Sequence, residues 1–207
     1  MRGRDVLLEV LDSEGVRHVF GNPGTTELPL IDALAGRASP RYVLALQEAT
    51  AVAMADGYAQ ATGRPAFLNL HTSAGLGNAV GNLTNARANG TPLVVTAGQQ
   101  DERHLAADPL LSGPLTELAA PTSKWAHEVR SLGEIGTVLR RAFLDAAKPP
   151  AGPIFVSLRM DLLERSGPAS EVGPPPRSYV VLDAVAGGLE ELAGLLAGPG
   201  VGRVGIV

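Results

Sequence analysis

The sequence predicts an α/β fold: an open parallel sheet with helices on both faces. Two observations carry this prediction. Apolar runs of strand length recur along the chain, and segments with helical character separate them. Strands that alternate with helices pair in parallel, because each crossover returns the chain to the same end of the sheet. With 207 residues, 45% of them hydrophobic, the chain can bury the core of one full domain and part of a second.

The elements follow one another in a regular order. An opening helix places Leu7, Leu8 and Leu11 on one side, and Gly15 ends it. The predicted strands are apolar runs that lead into a loop or a helix: 17–20, 42–46, 65–70, 92–97 and 153–158. The predicted helices lie between or after these strands: 26–34, 49–62, 76–89 and 132–146. We expect strand 42–46 to be buried and the stretch 99–123 to be irregular.

The composition changes near residue 166. Residues 1–165 form the predicted first domain, and the proline-rich segment 166–180 is a predicted linker, because proline favours extended backbone. A helix over 183–196 and a strand over 204–207 fit the start of a second α/β domain in residues 181–207. One helix and one strand cannot close a core, so we expect this chain to be the first part of a longer polypeptide.

Charge and composition exclude several classes of partner. The formal net charge of −4 offers no broad positive field for nucleic acid or an anionic membrane surface. The absence of cysteine excludes disulfides, thiolate metal sites and a cysteine nucleophile. Glu9 and Asp12 interrupt the apolar amino terminus before it reaches the length of a signal peptide, and no run of 18 apolar residues occurs. We expect a soluble, cytoplasmic protein.

Glu48 is the most informative residue. It lies where the strand 42–46 gives way to an almost uncharged helix, at the predicted carboxyl edge of the sheet, where open α/β folds bind ligands. An acid in the first turn of a helix also complements the positive end of the helix dipole. Position alone leaves both roles open.

Two further junctions reach the same edge. His71 ends strand 65–70, and the loop 21–25 follows strand 17–20. A histidine beside a carboxylate in such a crevice is a candidate for acid or base catalysis. The other histidines have no comparable setting, and we expect structural or exposed roles for them: His18, His104 and His127.

Other enzyme motifs fit poorly. The glycines after His71 lack the spacing of a dinucleotide fingerprint, because Gly77 is followed by Gly81, and Asp101 is a poorly placed ribose ligand. Ser73 lacks the flanking glycines of a hydrolase elbow, and no phosphate loop ends in Gly-Lys-Ser/Thr. What remains is a glycine-rich turn where backbone can approach a ligand closely.

Five ordered segments together carry a resemblance to a known family: 21–29, 44–49, 55–63, 69–71 and 96–100. They include Gly-Asn-Pro-Gly-Thr-Thr-Glu-Leu-Pro and Leu-Ala-Leu-Gln-Glu-Ala. The chain resembles the amino-terminal, pyrimidine-binding domain of thiamine diphosphate enzymes over roughly residues 5–164, and within that family it is most similar to benzoylformate decarboxylase.

The resemblance assigns cofactor contacts. It implies that Glu48 hydrogen-bonds the ring nitrogen of the cofactor's aminopyrimidine and favours the imino tautomer that activates the thiazolium carbon. The other residues that it assigns to cofactor binding are Asn22, Pro23, Gly24 and Asn78.

The resemblance also implies substrate contacts. His71 would transfer protons around the covalent intermediates, and Thr25 occupies the position of a family serine that holds the substrate carboxylate. Threonine keeps the hydroxyl but adds a methyl group that changes the pocket. Leu110 and Leu111 match a leucine pair that lines an aryl pocket; simple anchoring of their loop is the alternative.

As implied by the resemblance, the full protein is a 2-oxo acid decarboxylase. The family holds the diphosphate and its Mg²⁺ (or Ca²⁺) in a separate carboxy-terminal domain through a Gly-Asp-Gly motif, which these 207 residues lack. We therefore assign no metal ligand here, and expect the chain to be inactive alone and to form a homodimer or homotetramer. An acetolactate synthase-like carboligase and a non-catalytic dimerisation module remain alternatives.

Overall fold

A computed structural model describes residues 1–167 and 193–194 of the chain. The chain divides into two compact units, Met1–Pro176 and Arg177–Val207, and all that follows concerns the first. Apart from 166–167 and 193–194, the predicted linker and the predicted helix 183–196 lie outside the described residues, as does the predicted strand 204–207.

Within the described residues, a six-stranded sheet forms the centre of the fold. The strands in chain order are β1 His18–Gly21, β2 Arg41–Leu44, β3 Ala66–Leu70, β4 Leu93–Gln99, β5 Ala126–Glu128 and β6 Ile154–Arg159. Their order across the sheet is β2-β1-β3-β4-β6-β5, and every pairing is parallel. The predicted open parallel sheet is confirmed.

The helices connect consecutive strands or flank them. They are α1 Gly3–Ser13, α2 Leu28–Leu34, α3 Glu48–Thr62, α4 Thr72–Ala88, α5 Glu102–Leu105, α6 Leu115–Ala119, α7 Glu134–Ala147 and α8 Met160–Glu164. Short 3₁₀ turns cover Thr25–Glu27 and Ala120–Thr122.

Helices cover both faces of the sheet, as predicted. One core contains residues of α1 and α7, such as Leu7 and Phe143, and the other contains residues of α3 and α4, such as Ala55 and Leu83. In β3, Phe67 belongs to the first core and Leu68 to the second. Successive strand side chains point to opposite faces, so a central strand such as β3 is buried on both faces and is mostly apolar.

One sequence prediction about a strand was wrong, and one strand was not predicted. Strand 42–46 is not buried: β2 is an edge strand, and Leu44 and Leu46 are 60% and 91% exposed. The short strand β5 was missed, because its three residues are half-buried and polar in two places, which hides strand alternation. His127 therefore lies in a short strand.

Smaller differences concern helix ends. α4 begins at Thr72, directly after His71, four residues before the predicted start. The stretch predicted as irregular contains the short helices α5 and α6. The early start of α4 matters for the site, because it brings the first turn of a helix against the end of β3.

Candidate active site

Four strand ends meet at one edge of the sheet. β1 pairs with β2 on one side and β3 on the other, and β3 pairs with β4. The chain leaves β1 towards β2 and later returns to β3, so the crevice at the carboxyl ends of β1 and β3 is a topological switch point, where α/β sheets bind ligands. The predicted convergence of loop 21–25, Glu48 and His71 follows from this order.

Glu48 is the first residue of α3 and is only 7% exposed. Its Oε1 accepts a hydrogen bond from Asn22 Nδ2, and its Oε2 accepts one from Asn78 Nδ2, both at 3.0 Å. The side chain of Gln47, and not that of Glu48, caps the helix by accepting the Thr50 N–H at 3.2 Å. The carboxylate is therefore held by the β1 loop and α4 at a fixed place in the crevice.

The Glu48 carboxylate retains capacity for a ligand. An ionised carboxylate offers about four acceptor positions, and the two amides fill one on each oxygen. Gly75 of α4 lies directly against it, since a methyl group on Gly75 would lie 3.1 Å from Oε1. A shielded carboxylate with open acceptor positions suits the N–H that the ring nitrogen of an aminopyrimidine carries in its imino tautomer, so the residues present fit the cofactor that the sequence suggests.

His71 lies at the carboxyl end of β3 with its side chain 21% exposed. Its Nδ1 lies 2.8 Å from Oε2 of Glu27 and 3.2 Å from Oγ1 of Thr26. The hydrogen bond to Glu27 raises the pKa of His71 above its usual value, burial opposes this, and the negative charges of Glu27 and Glu48 reinforce it. The charged imidazolium is thus favoured relative to a free histidine.

Two glycines allow this arrangement. A methyl group on Gly24 would lie 2.3 to 2.4 Å from three atoms of the His71 ring. A methyl group on Gly98 would lie 2.1 Å from Oε1 of Glu27 and 2.3 Å from Oγ1 of Thr26. Only glycine leaves room for such close approach of backbone to side chain.

Glu27 was missed by the sequence analysis, together with Thr26 and Gly98. Glu27 is 1% exposed, although its sequence context is that of an acid in a surface turn. One signal was present: Glu27 lies three residues after Gly24, and its Oε2 accepts the Gly24 N–H at 2.8 Å, as the acid of a capping box does. That spacing predicts a helix start, but it gives no hint of the contact with His71.

The predicted substrate residues lie around this cluster. Thr25 begins the 3₁₀ turn and is exposed. The carbonyl of Leu111 accepts from Ser73 in the first turn of α4 at 3.4 Å, and Gln100 Nε2 donates to the carbonyl of Leu110 at 3.0 Å. These bonds anchor the leucine loop beside the start of α4, while the Leu110 side chain is 86% exposed. A pocket role for either leucine stays a prediction.

The backbone beside His71 is strained. Thr72 has φ 51°, a left-handed conformation that is costly for a β-branched residue. Its side chain is fully buried, and its Oγ1 has no hydrogen-bond partner among the described residues. Residues held in such conformations cluster at functional sites, which agrees with the position of Thr72 at the crevice.

A second cleft, of about 440 Å³, is lined by residues that follow β4 and β6, among them Asp101, Arg103 and Asp161. Its charges are already paired: hydrogen bonds from Arg103 hold the pKa of Asp101 well below its usual range. Asp101 is therefore committed to Arg103.

Within the described ranges, no group of three histidine or acidic side chains is arranged to hold a metal ion. None of the helices described is long and apolar enough to cross a bilayer.

Comparison with known proteins adds to this geometry. Residues 1–120 match the family model described as thiamine pyrophosphate enzyme, N-terminal TPP binding domain. The chain is 41% identical over 162 residues to benzoylformate decarboxylase of Pseudomonas aeruginosa, covering 78% of this chain and 30% of that protein. It is 29% identical over 187 residues to the mitochondrial acetolactate synthase catalytic subunit of Aspergillus candidus, covering 88% of this chain and 27% of that subunit.

A solved enzyme structure is also similar to this chain. The thiamine diphosphate-dependent 4-hydroxybenzoylformate decarboxylase of Rhodococcus jostii RHA1 superposes with a TM-score of 0.86 at 34% identity, covering 95% of this chain and 37% of that one. This chain thus spans between 27% and 37% of the length of these relatives.

Proposed function

Because this chain belongs to the thiamine pyrophosphate enzymes, as an amino-terminal cofactor-binding domain, we propose that it supplies the pyrimidine-binding half of the active site of a 2-oxo acid decarboxylase similar to benzoylformate decarboxylase. The single observation that supports this most is the buried Glu48 carboxylate, held by two amides with acceptor positions open.

Glu48 has the main role in this proposal. Asn22 and Asn78 orient its carboxylate, and burial keeps water from competing for the open acceptor positions. The carboxylate accepts a hydrogen bond from the N–H that the pyrimidine ring nitrogen carries in the imino tautomer, a bond that is stronger in a poorly solvated crevice than in water. When bound, the cofactor supplies the carbon nucleophile, and the protein supplies binding, orientation and electrostatics.

His71 supplies proton transfer in this proposal. Its raised pKa keeps a larger fraction protonated near neutral pH, so it can give a proton to a developing oxyanion or carbon centre and take it back. Thr25, exposed beside it, offers a hydroxyl to the substrate carboxylate, and Leu110 and Leu111 offer apolar surface to the rest of a 2-oxo acid.

A carboligase similar to acetolactate synthase is the second candidate, because that relative aligns with a larger share of this chain, 88% against 78%. We rank the decarboxylase first on identity, 41% against 29%. The products that a full-length protein forms from pyruvate and from benzoylformate separate the two. A non-catalytic module would have no need of a buried carboxylate held by two amides.

An exposed apolar surface lies at the same edge of the sheet as the candidate site. Four of the large apolar side chains that are exposed in the described residues lie at this edge of the sheet: Leu28, Leu44, Leu46 and Leu110. We propose that a second copy of the protein covers this edge, and that residues outside these 207 hold the diphosphate and a divalent metal such as Mg²⁺. Sedimentation that shows only monomer at high concentration would contradict the first part. Calorimetry that shows micromolar, metal-dependent cofactor binding to this chain alone would contradict the second.

The decisive experiment replaces Glu48 by glutamine in the full-length protein. Glu48→Gln keeps the shape of the side chain but removes its charge, so we expect an intact fold, judged by circular dichroism, and near-complete loss of turnover. Glu117→Gln is the matched control, because Glu117 is an exposed acid on α6 that is not among the residues bonded to Glu48 or His71. Wild-type turnover of Glu48→Gln would show that the proposal is wrong.

A further inference from the structure

The described residues contain a buried acid that the proposed function does not use. Glu27 is 1% exposed and lies between the ends of β1, β3 and β4. We propose that Glu27 is a positioning residue: it holds the proton of neutral His71 on Nδ1 and fixes the plane of the ring, so that Nε2 is the atom that exchanges protons with a ligand. The chemical use of Nε2 rests on the proposed function, whereas the arrangement itself does not.

Both oxygens of Glu27 are committed as acceptors by the backbone. Oε1 accepts the Gly98 N–H at 2.9 Å, and Oε2 accepts the Gly24 N–H at 2.8 Å. A backbone N–H can only donate, so these two bonds fix the position and the acceptor role of the carboxylate. The hydroxyl of Thr26 donates to Oε1 at 2.7 Å as a third bond.

The fourth bond determines the tautomer of His71. Nδ1 lies 2.8 Å from Oε2, an oxygen that already accepts from Gly24. The other polar neighbour of Nδ1 is Oγ1 of Thr26 at 3.2 Å, whose proton is directed to Glu27. Nδ1 therefore faces acceptors only, and it must carry the proton in the neutral ring.

The plane of the ring is fixed as well. The backbone of Gly24 lies against the imidazole, close enough that a methyl group there would lie 2.3 to 2.4 Å from three ring atoms. With Nδ1 bonded and one side of the ring covered, the imidazole has little freedom to rotate. A carboxylate that sets the tautomer and orientation of an imidazole is a recurrent device in acid–base catalysis.

The alternative is a structural role, in which Glu27 only ties the β1 loop to β4. Both roles predict that loss of Glu27 destabilises the fold, so stability does not separate them. The protonation state of His71 does, because a tether has no effect on which ring nitrogen carries the proton. The charged groups that act on this ring are Glu27, by hydrogen bond and charge, and Glu48, by charge alone.

Heteronuclear NMR of the imidazole ¹⁵N and ¹³C resonances of this chain tests the proposal without cofactor or substrate. The chain has four histidines, and the His71→Asn variant assigns the signals of His71 by their disappearance. In wild type we expect the neutral ring to carry its proton on Nδ1, and the titration midpoint to lie above the ordinary value of 6.5. A neutral ring protonated on Nε2 would overturn the proposal.

Two matched substitutions complete the test. In Glu27→Gln we expect the midpoint to move to lower pH and the Nε2-protonated tautomer to appear, because the acceptor on Nδ1 is weakened. In Glu48→Gln, which removes a nearby charge but no bond to the ring, we expect a smaller shift and an unchanged tautomer. An unchanged midpoint and tautomer in Glu27→Gln would refute the positioning role. If Glu27→Gln does not fold, the wild-type tautomer decides alone.

The outcome is independent of the proposed enzyme function. A locked Nδ1–H tautomer together with wild-type turnover of the full-length Glu48→Gln protein would sustain the role of Glu27 and reject the decarboxylase mechanism. A neutral His71 ring protonated on Nε2, together with loss of turnover in the full-length Glu48→Gln protein, would reject the role of Glu27 and leave the proposed function standing.

Discussion

Gly98→Ala is the sharpest structural test of the cluster around Glu27. Gly98 has no positive φ, so alanine fits its backbone and only the added methyl group matters. That group would lie 2.1 Å from Oε1 of Glu27 and 2.3 Å from Oγ1 of Thr26. An ordinary contact needs about 3.4 Å, so the carboxylate must move by about 1 Å.

Such a movement breaks the bonds that Oε1 accepts from the Gly98 N–H and the Thr26 hydroxyl. Hydrogen bonds to a charged group contribute about 1.5–3 kcal/mol each, and relaxation recovers part of the loss. We therefore expect the free energy of unfolding to fall by about 3 kcal/mol, a large share of the roughly 5–15 kcal/mol of a typical domain.

Urea unfolding of this chain, followed by circular dichroism, measures the change, with a shift in midpoint at constant slope as the sign of a true loss of stability. Gly81→Ala is the matched control: Gly81 lies in α4 with nothing within 4 Å of the added methyl group. We expect that variant to gain about 0.5–1 kcal/mol from helix propensity. A Gly98→Ala protein within about 0.5 kcal/mol of wild type would refute the reasoning.

Three further outcomes follow from the same geometry. Gly24→Ala displaces the His71 ring, so the NMR titration midpoint should fall towards 6.5. Because the folded chain raises the pKa of His71, its pairing with Glu27 stabilises the folded state fully below pH 6.5, and this stabilisation is lost as the pH rises through the folded pKa. Urea unfolding below and above that pH window should therefore show that wild type loses stability relative to His71→Asn as the pH rises. Asn78→Leu removes one of the two amides that orient Glu48, so turnover of the full-length protein should fall by about tenfold or more while the fold persists; unchanged kinetics would argue against that orienting role.

The strands show where sequence patterns suffice. β3 and β4 are buried at every position, because both lie in the middle of a parallel sheet, and continuous apolar runs predict such strands well. The predicted strand 42–46 is a similarly apolar run, yet β2 lies at the edge. Position in the sheet depends on how the crossovers order the strands, which the local composition of one strand does not encode.

Two ionisable residues of the candidate site could be identified from the sequence. His71 directly follows β3, and Glu48 begins α3 shortly after the end of β2. A strand-to-helix junction lies at the carboxyl edge of a parallel sheet wherever the strand falls in the order. The sequence by itself therefore determined the α/β class, the edge where the candidate site lies and two of the ionisable groups that meet there.

Only the tertiary structure decided the partners of those groups. Glu27 accepts from Gly98, which is 71 positions away, and Glu48 accepts from Asn78, which is 30 positions away. These pairs exist because β1, β3 and β4 are neighbours and because glycines allow backbone and carboxylate to approach closely. Hydrogen-bond partners depend on distances between elements remote in sequence, and those distances are set by packing, not by the pattern within any one element.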